Sequence, residues 1–261
     1  MEQIGDLLVE RARPRTAARR PPILFVHGMW GGSWYWANYL SAAADAGWEA
    51  WALNLRGHHG SRPGTDLGRV SVLDYVQDVL DCLGQLGESV VVGHSMGGLI
   101  VQKVAERARV RATVALTSAA PRGIVVLRWP VLSRMFKYLG PMLGARAFVA
   151  SRADADALVL NRLPPDRQAW VYERLVAESG RAARELAFGL IDVQAAAVRC
   201  PFLVVGAEHD AITPVGVQRR IARKYGARYL ELPGHAHMLM LEAGWEVPFK
   251  EILDWVEGAI H

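Results

Sequence analysis

Short apolar runs alternate along this chain with segments whose apolar residues return every three or four positions. Ile23–Val26, Glu49–Leu53, Ser89–Val92, Ala112–Leu116, Phe202–Val205 and Tyr229–Leu232 are short apolar runs that read as strands, and the β-branched Ser89–Val92 has the pattern of a strand covered on both faces. Asp6–Glu10 is a further strand candidate. Between these runs the spacing predicts helices over Ser33–Asp45, Ser71–Leu86, Met96–Arg109, Val215–Lys224 and Trp245–Ala259. Strands alternating with amphipathic helices imply an α/β fold, a mostly parallel sheet with helices on both faces.

One interval departs from the rhythm. Between Pro121 and Val198 no strand candidate stands out, whereas helical patterns recur at Asp154–Asn161, Asp166–Glu178 and Arg181–Ile191. The chain therefore divides into a core, 1–120 with 199–261, and a helical insertion, 121–198. Open α/β sheets bind ligands beyond the carboxyl ends of their strands, and the insertion leaves from such an end, as a lid would. Its first half, "IVVLRWPVLSRMFKYLGPML", spaces Trp129, Leu132, Met135, Phe136, Leu139 and Met142 so as to give one apolar face.

The candidate chemistry sits where a strand stops abruptly. In "VVVGHSMGGLI" the run ending at Val92 gives way to helical spacing from Leu99, so the chain turns within a few residues of Ser95. Such a turn strains its central residue and needs small neighbours, which Gly93 and Gly97 supply. Gly93-His94-Ser95-Met96-Gly97 is a G-x-S-x-G nucleophile elbow, which lifts a serine hydroxyl clear of the sheet. Serine is a weak nucleophile without a histidine base and an orienting acid. Downstream, "FLVVGAEHDAITP" places Asp210 just past a strand, and "YLELPGHAHMLMLE" places His235 and His237 in the loop before the last helix. The order Ser, Asp, His is that expected after such an elbow, and the residues alone leave either histidine as the base.

These segments resemble those of the α/β-hydrolase superfamily over nearly the whole chain. "FVHGMW" is similar to its oxyanion segment, "LNLRGHHGS" to D-x-R-G-x-G-x-S with Asn54 and His59 replacing Asp and Gly, and "PGHAHMLMLE" to P-G-x-G-H-x-x-x-x-E. The resemblance implies Ser95, Asp210 and His237 as the triad, and the backbone N–H groups of Met29 and Met96 as oxyanion donors. It makes the insertion a helical cap after the sixth strand of that fold, and gives His27 and His94 supporting roles only. "HGMWGGSWYW" resembles the plant methylesterase and hydroxynitrile lyase branch, but Met238 follows His237 where those lyases carry lysine, which favours hydrolysis. The expected activity is that of a serine carboxylesterase on short to medium apolar acyl esters, with Trp30, Trp129, Met135, Phe136 and Met238 lining the pocket. A C–C bond hydrolase, lactonase or lyase using the same triad, and a non-catalytic ligand-binding module, are the alternatives.

Composition narrows the rest. With 261 residues and 51% of them hydrophobic, the chain can bury a large core, and no apolar run reaches membrane-spanning length. No segment suggests interfacial anchoring. The net charge of +4 comes mostly from scattered arginines. The dense run of Arg11, Arg13, Arg15, Arg19 and Arg20 lacks aromatic interleaving and reads as a solvated loop between two edge strands, not as a nucleic-acid surface. Two cysteines, Cys82 and Cys200, suggest neither a disulfide framework nor a metal site, and with acidic Glu2, Asp6 and Glu10 and no long apolar run after them no secretory signal is expected. The expectation is a cytoplasmic enzyme, monomer or homodimer, acting on a small ester without cofactor, metal, nucleic acid or membrane.

Overall fold

The computed structural model describes residues 1–15, 20–62, 66–126 and 129–260, the side chains of Pro130 and Leu132 excepted. Eight strands form one sheet: β1 Glu2–Ile4, β2 Leu7–Ala12, β3 Ile23–Val26, β4 Ala50–Leu53, β5 Val90–His94, β6 Ala112–Leu116, β7 Phe202–Ala207 and β8 Arg228–Leu232. Their order is β1-β2-β4-β3-β5-β6-β7-β8. β1 and β2 run antiparallel to their neighbours, and every other pairing is parallel.

Alternation along each strand explains the layers. Ile23, Phe25, Val90 and Val92 enter one core with Trp36, Tyr39 and Trp48, while Leu24, Val26 and Val91 enter another with Tyr75, Leu99 and Ile100. Helices α1 Ala37–Asp45 and α10 Glu246–Ile260 cover the first face, and α2 Val72–Leu86 and α3 Met96–Arg107 the second, while α9 Val215–Tyr225 packs on β7. The sequence-predicted start of α2 is a capping box: the Ser71 hydroxyl accepts from Leu73 N–H, and Asp74 accepts from Ser71 N–H.

Two expectations at the N-terminus change. β1 adds a strand that the pattern does not announce, because three residues before the Gly5 turn carry too little of it. β2 lies between β1 and β4, and β3 between β4 and β5, so the arginine-rich loop joins two internal strands, not two edge strands. Arg11 pairs with Glu2 and Glu49, and Arg20 with Glu257, so acids on neighbouring elements answer that charge. Arg19 lies outside the described residues.

Between β6 and β7 lie α4 Trp129–Met135, α5 Leu139–Leu143, α6 Arg152–Leu158, α7 Pro165–Tyr172 and α8 Gly180–Ala187, with 3-10 turns at Phe136–Tyr138 and Ala195–Ala197. The apolar face expected in its first half is split. Met142 is buried and Met135 packs beside it and Tyr138, but Trp129 is 72% and Phe136 60% exposed. The 3-10 turn between α4 and α5 breaks the helical period, turning Tyr138 inward and Phe136 outward. Trp129 and Phe136 are thus exposed where the sequence pattern places them inward, and Leu143, outside that pattern, is also at the surface. Leu132 falls on an undescribed side chain. The helix expected to reach Glu178 stops at Tyr172, and Glu178 instead pairs its backbone with Phe148 in an isolated antiparallel bridge.

Candidate active site

Ser95 stands between the end of β5 and the first residue of α3, at φ 55° and ψ −117°. A non-glycine residue in that region is strained, and the strain persists only because the surroundings fix it. Gly97 is one reason: a Cβ there would lie 2.3 Å from Val26 O and 2.5 Å from His27 O, so α3 crosses the end of β3 at backbone contact. A Cβ on Gly93 would lie 2.1 Å from Gly97 O. Ser95 N–H donates to Leu116 O, and Ser95 O accepts from Ala119 N–H, which tie the turn to the end of β6. Ser95 is half-buried amid fully buried neighbours, and no hydrogen bond occupies its hydroxyl among the described residues.

Asp210 follows β7 and is buried, its two oxygens accepting in different directions. Oδ1 accepts the N–H groups of Ile212 (2.9 Å) and Thr213 (2.8 Å). Oδ2 accepts the Thr213 hydroxyl (2.7 Å) and meets Nδ1 of His237 at 2.9 Å. Burial opposes the charge, but His237 and these donors outweigh it and hold the carboxyl below its ordinary range. With Oδ2 an acceptor, His237 donates through Nδ1, and in the neutral ring that tautomer leaves the Nε2 lone pair free.

The two loop histidines separate cleanly. His237 pairs with Asp210, whereas His235 Nδ1 lies 3.2 Å from Glu242 Oε2, which also accepts Ala236 N–H at 2.9 Å. His94 packs its ring 4.7 Å from that of His237, and its Nε2 donates to His237 O at 2.9 Å. Burial, with His237 beside it, lowers His94 to about 3, so it stays neutral and serves as a strut.

The loop after β3 is set by its own histidine. Burial and the neighbouring His58 hold His27 well below its ordinary range, so it carries one ring proton. Its Nε2 accepts Leu55 N–H (3.2 Å), which leaves Nδ1–H to donate to Gly28 O at 2.7 Å. In a trans peptide N–H and C=O point opposite ways, so fixing Gly28 O also fixes the direction of Met29 N–H. Met96 N–H lies at the start of α3, where the helix dipole is positive. Asn54 Oδ1 holds Ser33 N–H at 2.7 Å, so the Asn found in place of Asp secures the turn that follows the loop.

The alpha/beta hydrolase family model matches residues 23–252. The chain belongs to that family. Among curated proteins this α/β hydrolase is similar to a carbendazim hydrolyzing esterase of Nocardioides sp. (strain SG-4G), 26% identical over 170 residues, 60% of this chain and 68% of that one. It is also similar to the probable esterase PIR7A of Oryza sativa subsp. indica, 36% identical over 105 residues, which span 38% of this chain and 39% of the rice protein. A thermophilic esterase from Thermogutta terrifontis shares the fold, with TM-score 0.75 and 19% identity over 98% of this chain and 94% of that one.

The expected pocket residues lie in different surroundings. Trp30 is nearly buried against Phe148, with ring centroids 6.0 Å apart, and Met238 is wholly buried in the core beneath α1 and α10. Met135 belongs to the small cluster around Tyr138 and Met142, and Trp129 and Phe136 stand at the surface. No group of three or more His, Cys, Asp or Glu among the described residues is placed to hold a metal, and no described helix is long and apolar enough to cross a membrane. Missed altogether by the sequence reading is Glu178, buried under the Met29–Trp30 loop.

Proposed function

We propose that this α/β hydrolase cleaves carboxylic esters with an apolar acyl part of short to medium length, through Ser95, His237 and Asp210. The observation that carries the reading is the 2.9 Å contact of His237 Nδ1 with a buried Asp210, beyond the same sheet end at which Ser95 is held at positive φ.

In the reaction, His237 Nε2 takes the Ser95 proton as the serine oxygen attacks the ester carbonyl. The oxyanion develops beside the N–H groups of Met29 and Met96 in this reading, donors whose directions are set by His27 and by the start of α3. Asp210 keeps the imidazolium oriented and stabilised without taking its proton. Collapse expels the alcohol, protonated by His237, and leaves an acyl-Ser95 ester. A water deprotonated by His237 then releases the acid and restores the serine. The similarity to a carbendazim hydrolyzing esterase and to a probable esterase supports the substrate class.

A fluorophosphonate probe should label wild-type protein and not Ser95→Ala. With p-nitrophenyl esters from acetate to palmitate, each methylene that finds apolar contact contributes about 0.8 kcal/mol, so kcat/KM should rise and then fall once the space ends. The exposed Trp129, Phe136 and Leu143 give this series its second use. A maximum at palmitate, with activation at an oil–water interface, would replace the short-acyl reading with that of a lipase. Absence of labelling would leave a ligand-binding module as the better account.

A further inference from the structure

Glu178 is the one carboxylate among the described residues that reaches the backbone of the Met29–Trp30 loop, and it comes from the β6–β7 segment, 148 residues further along the chain. Its Oε2 lies 3.4 Å from Trp30 N and 3.3 Å from His58 Nε2. Its Oε1 accepts the Tyr75 hydroxyl at 2.5 Å and its neighbour's Ser179 N–H at 2.7 Å. Glu178, His58 and Tyr75 have no solvent exposure. Burying a carboxylate this completely costs several kcal/mol unless partners answer it, and here four donors do.

The same segment holds the rest of Trp30. Val176 N–H donates to Trp30 O at 2.9 Å, and the indole N–H donates to Phe148 O at 3.1 Å, the residue that bridges Glu178. Trp30 needs this grip, because it sits at φ 61°, in the region that a bulky residue leaves if allowed. Glycine would take that conformation freely, whereas tryptophan must be held there. His27 fixes the peptide before Met29 from the core side, and the Glu178 segment fixes the peptide after it from the other side.

We propose that Glu178 is a positioning residue for ester hydrolysis: by holding Trp30 N–H from the β6–β7 segment, it fixes the loop that aims Met29 N–H at the oxyanion. The inference rests on the hydrolase reading above. It also makes the β6–β7 segment a working part of the active site, because docking of that segment and assembly of the oxyanion donors become one event. Burial opposes the Glu178 charge, but His58 and the other donors outweigh it and keep the carboxylate ionised.

Glu178→Gln tests this with almost no change of shape. Oε1 faces two donors, so the amide oxygen takes that place and the NH2 falls at the Oε2 position, against Trp30 N–H. The prediction is a fall in kcat of about 10- to 100-fold with KM nearly unchanged, less than the loss of a whole oxyanion donor. The affinity of a trifluoromethyl ketone, whose adduct carries the oxyanion, should weaken in parallel with kcat/KM. Glu178→Asp, which withdraws the carboxylate by one methylene, should show the same pattern. Ser71→Ala, which loosens the contact of α2 with Glu185 of the same segment, should lower Tm and leave kcat alone. Should the Glu178 variants fail to fold, amide exchange in wild-type protein decides: Trp30 N–H should exchange slowly, and exchange as fast as an open loop amide overturns the proposal. An active wild type whose Glu178 variants keep kcat and inhibitor affinity overturns this proposal alone. A wild type that neither labels at Ser95 nor turns over esters overturns the hydrolase reading and this one with it.

Discussion

On the proposed triad, replacing Asp210 by Asn should disable the base without disturbing the fold, for reasons that lie in the contacts of its two oxygens. Oδ1 is pinned by two backbone N–H groups, so the oxygen of the introduced amide must occupy that place. The NH2 then takes the position of Oδ2, facing His237 Nδ1 and the Thr213 hydroxyl. Thr213 adapts, since its proton can go wholly to Thr117 O at 2.9 Å while its oxygen accepts from the amide. His237 adapts only by moving its proton to Nε2, which removes the lone pair that Ser95 needs.

Restoring the working tautomer means flipping the amide, which strands the N–H groups of Ile212 and Thr213 against an NH2. Two buried donors left unpaired cost about 1–3 kcal/mol each, so the competent form is suppressed about 30-fold to 10⁴-fold. Turnover of p-nitrophenyl butyrate should fall within that range, and the rate of fluorophosphonate labelling should fall by the same factor. Tm should move little. A loss below about ten-fold, with labelling unchanged, would show that Asp210 does not set the His237 tautomer and would refute the assignment of the acid.

Three further outcomes follow from the same contacts. His237→Ala should cost about 10⁴-fold or more in kcat, and His235→Ala under about ten-fold, because His235 pairs with Glu242 and not Asp210; the reverse ranking in steady-state assays would move the base. Gly97→Ala should abolish soluble, folded protein, since its Cβ would meet two carbonyl oxygens of β3 and the following loop with no flexible side chain to yield; a normal circular dichroism melt would contradict the close crossing. His94, lowered to about 3, and His27, lowered well below 6.5, bind protons in the unfolded chain that the native protein refuses. Stability should therefore rise with pH from about 3 to about 6.5, by up to about 1.4 kcal/mol per unit for each histidine. His58 is raised, Glu178 outweighing its burial, so its contribution is present below its unfolded value and fades only above that window. Urea midpoints across that range should fall with acid, less steeply in His94→Gln, and a flat wild-type profile would contradict two buried neutral histidines.

Much of the core is legible because its signals are local. Ile23–Val26 and Ala112–Leu116 are strands of the lengths expected, since β-branched runs bounded by turns have few other stable uses in a buried sheet. The strain at Ser95 is legible too: a strand running into helical spacing with glycines two residues either side leaves the central residue no relaxed conformation. The choice between His235 and His237 is not settled by residue pattern. Two histidines two positions apart in a loop carry the same local information, and what separates them is which carboxylate each meets after folding.

The β6–β7 segment is legible as helical but not in its detail, and the reason is where its energy lies. Its helices are short, so propensity alone stabilises them little, and packing decides where they stop. A 3-10 turn at Phe136–Tyr138 is enough to rotate the apolar stripe that periodicity takes as continuous. At Glu178 the failure is sharper. A glutamate closing an amphipathic run carries the same local signal whether it faces water or is sealed beneath a tryptophan 148 residues away. The φ of 61° at Trp30 is the trace such a contact leaves, but a trace on the backbone and not in the residue pattern. Strain borne by a bulky residue implies that something distant holds it. In this hydrolase two of the residues held at positive φ, Ser95 and Trp30, stand at the turn that carries the proposed nucleophile and at the loop beside Met29. The sheet secures the first, and the segment between β6 and β7 secures the second.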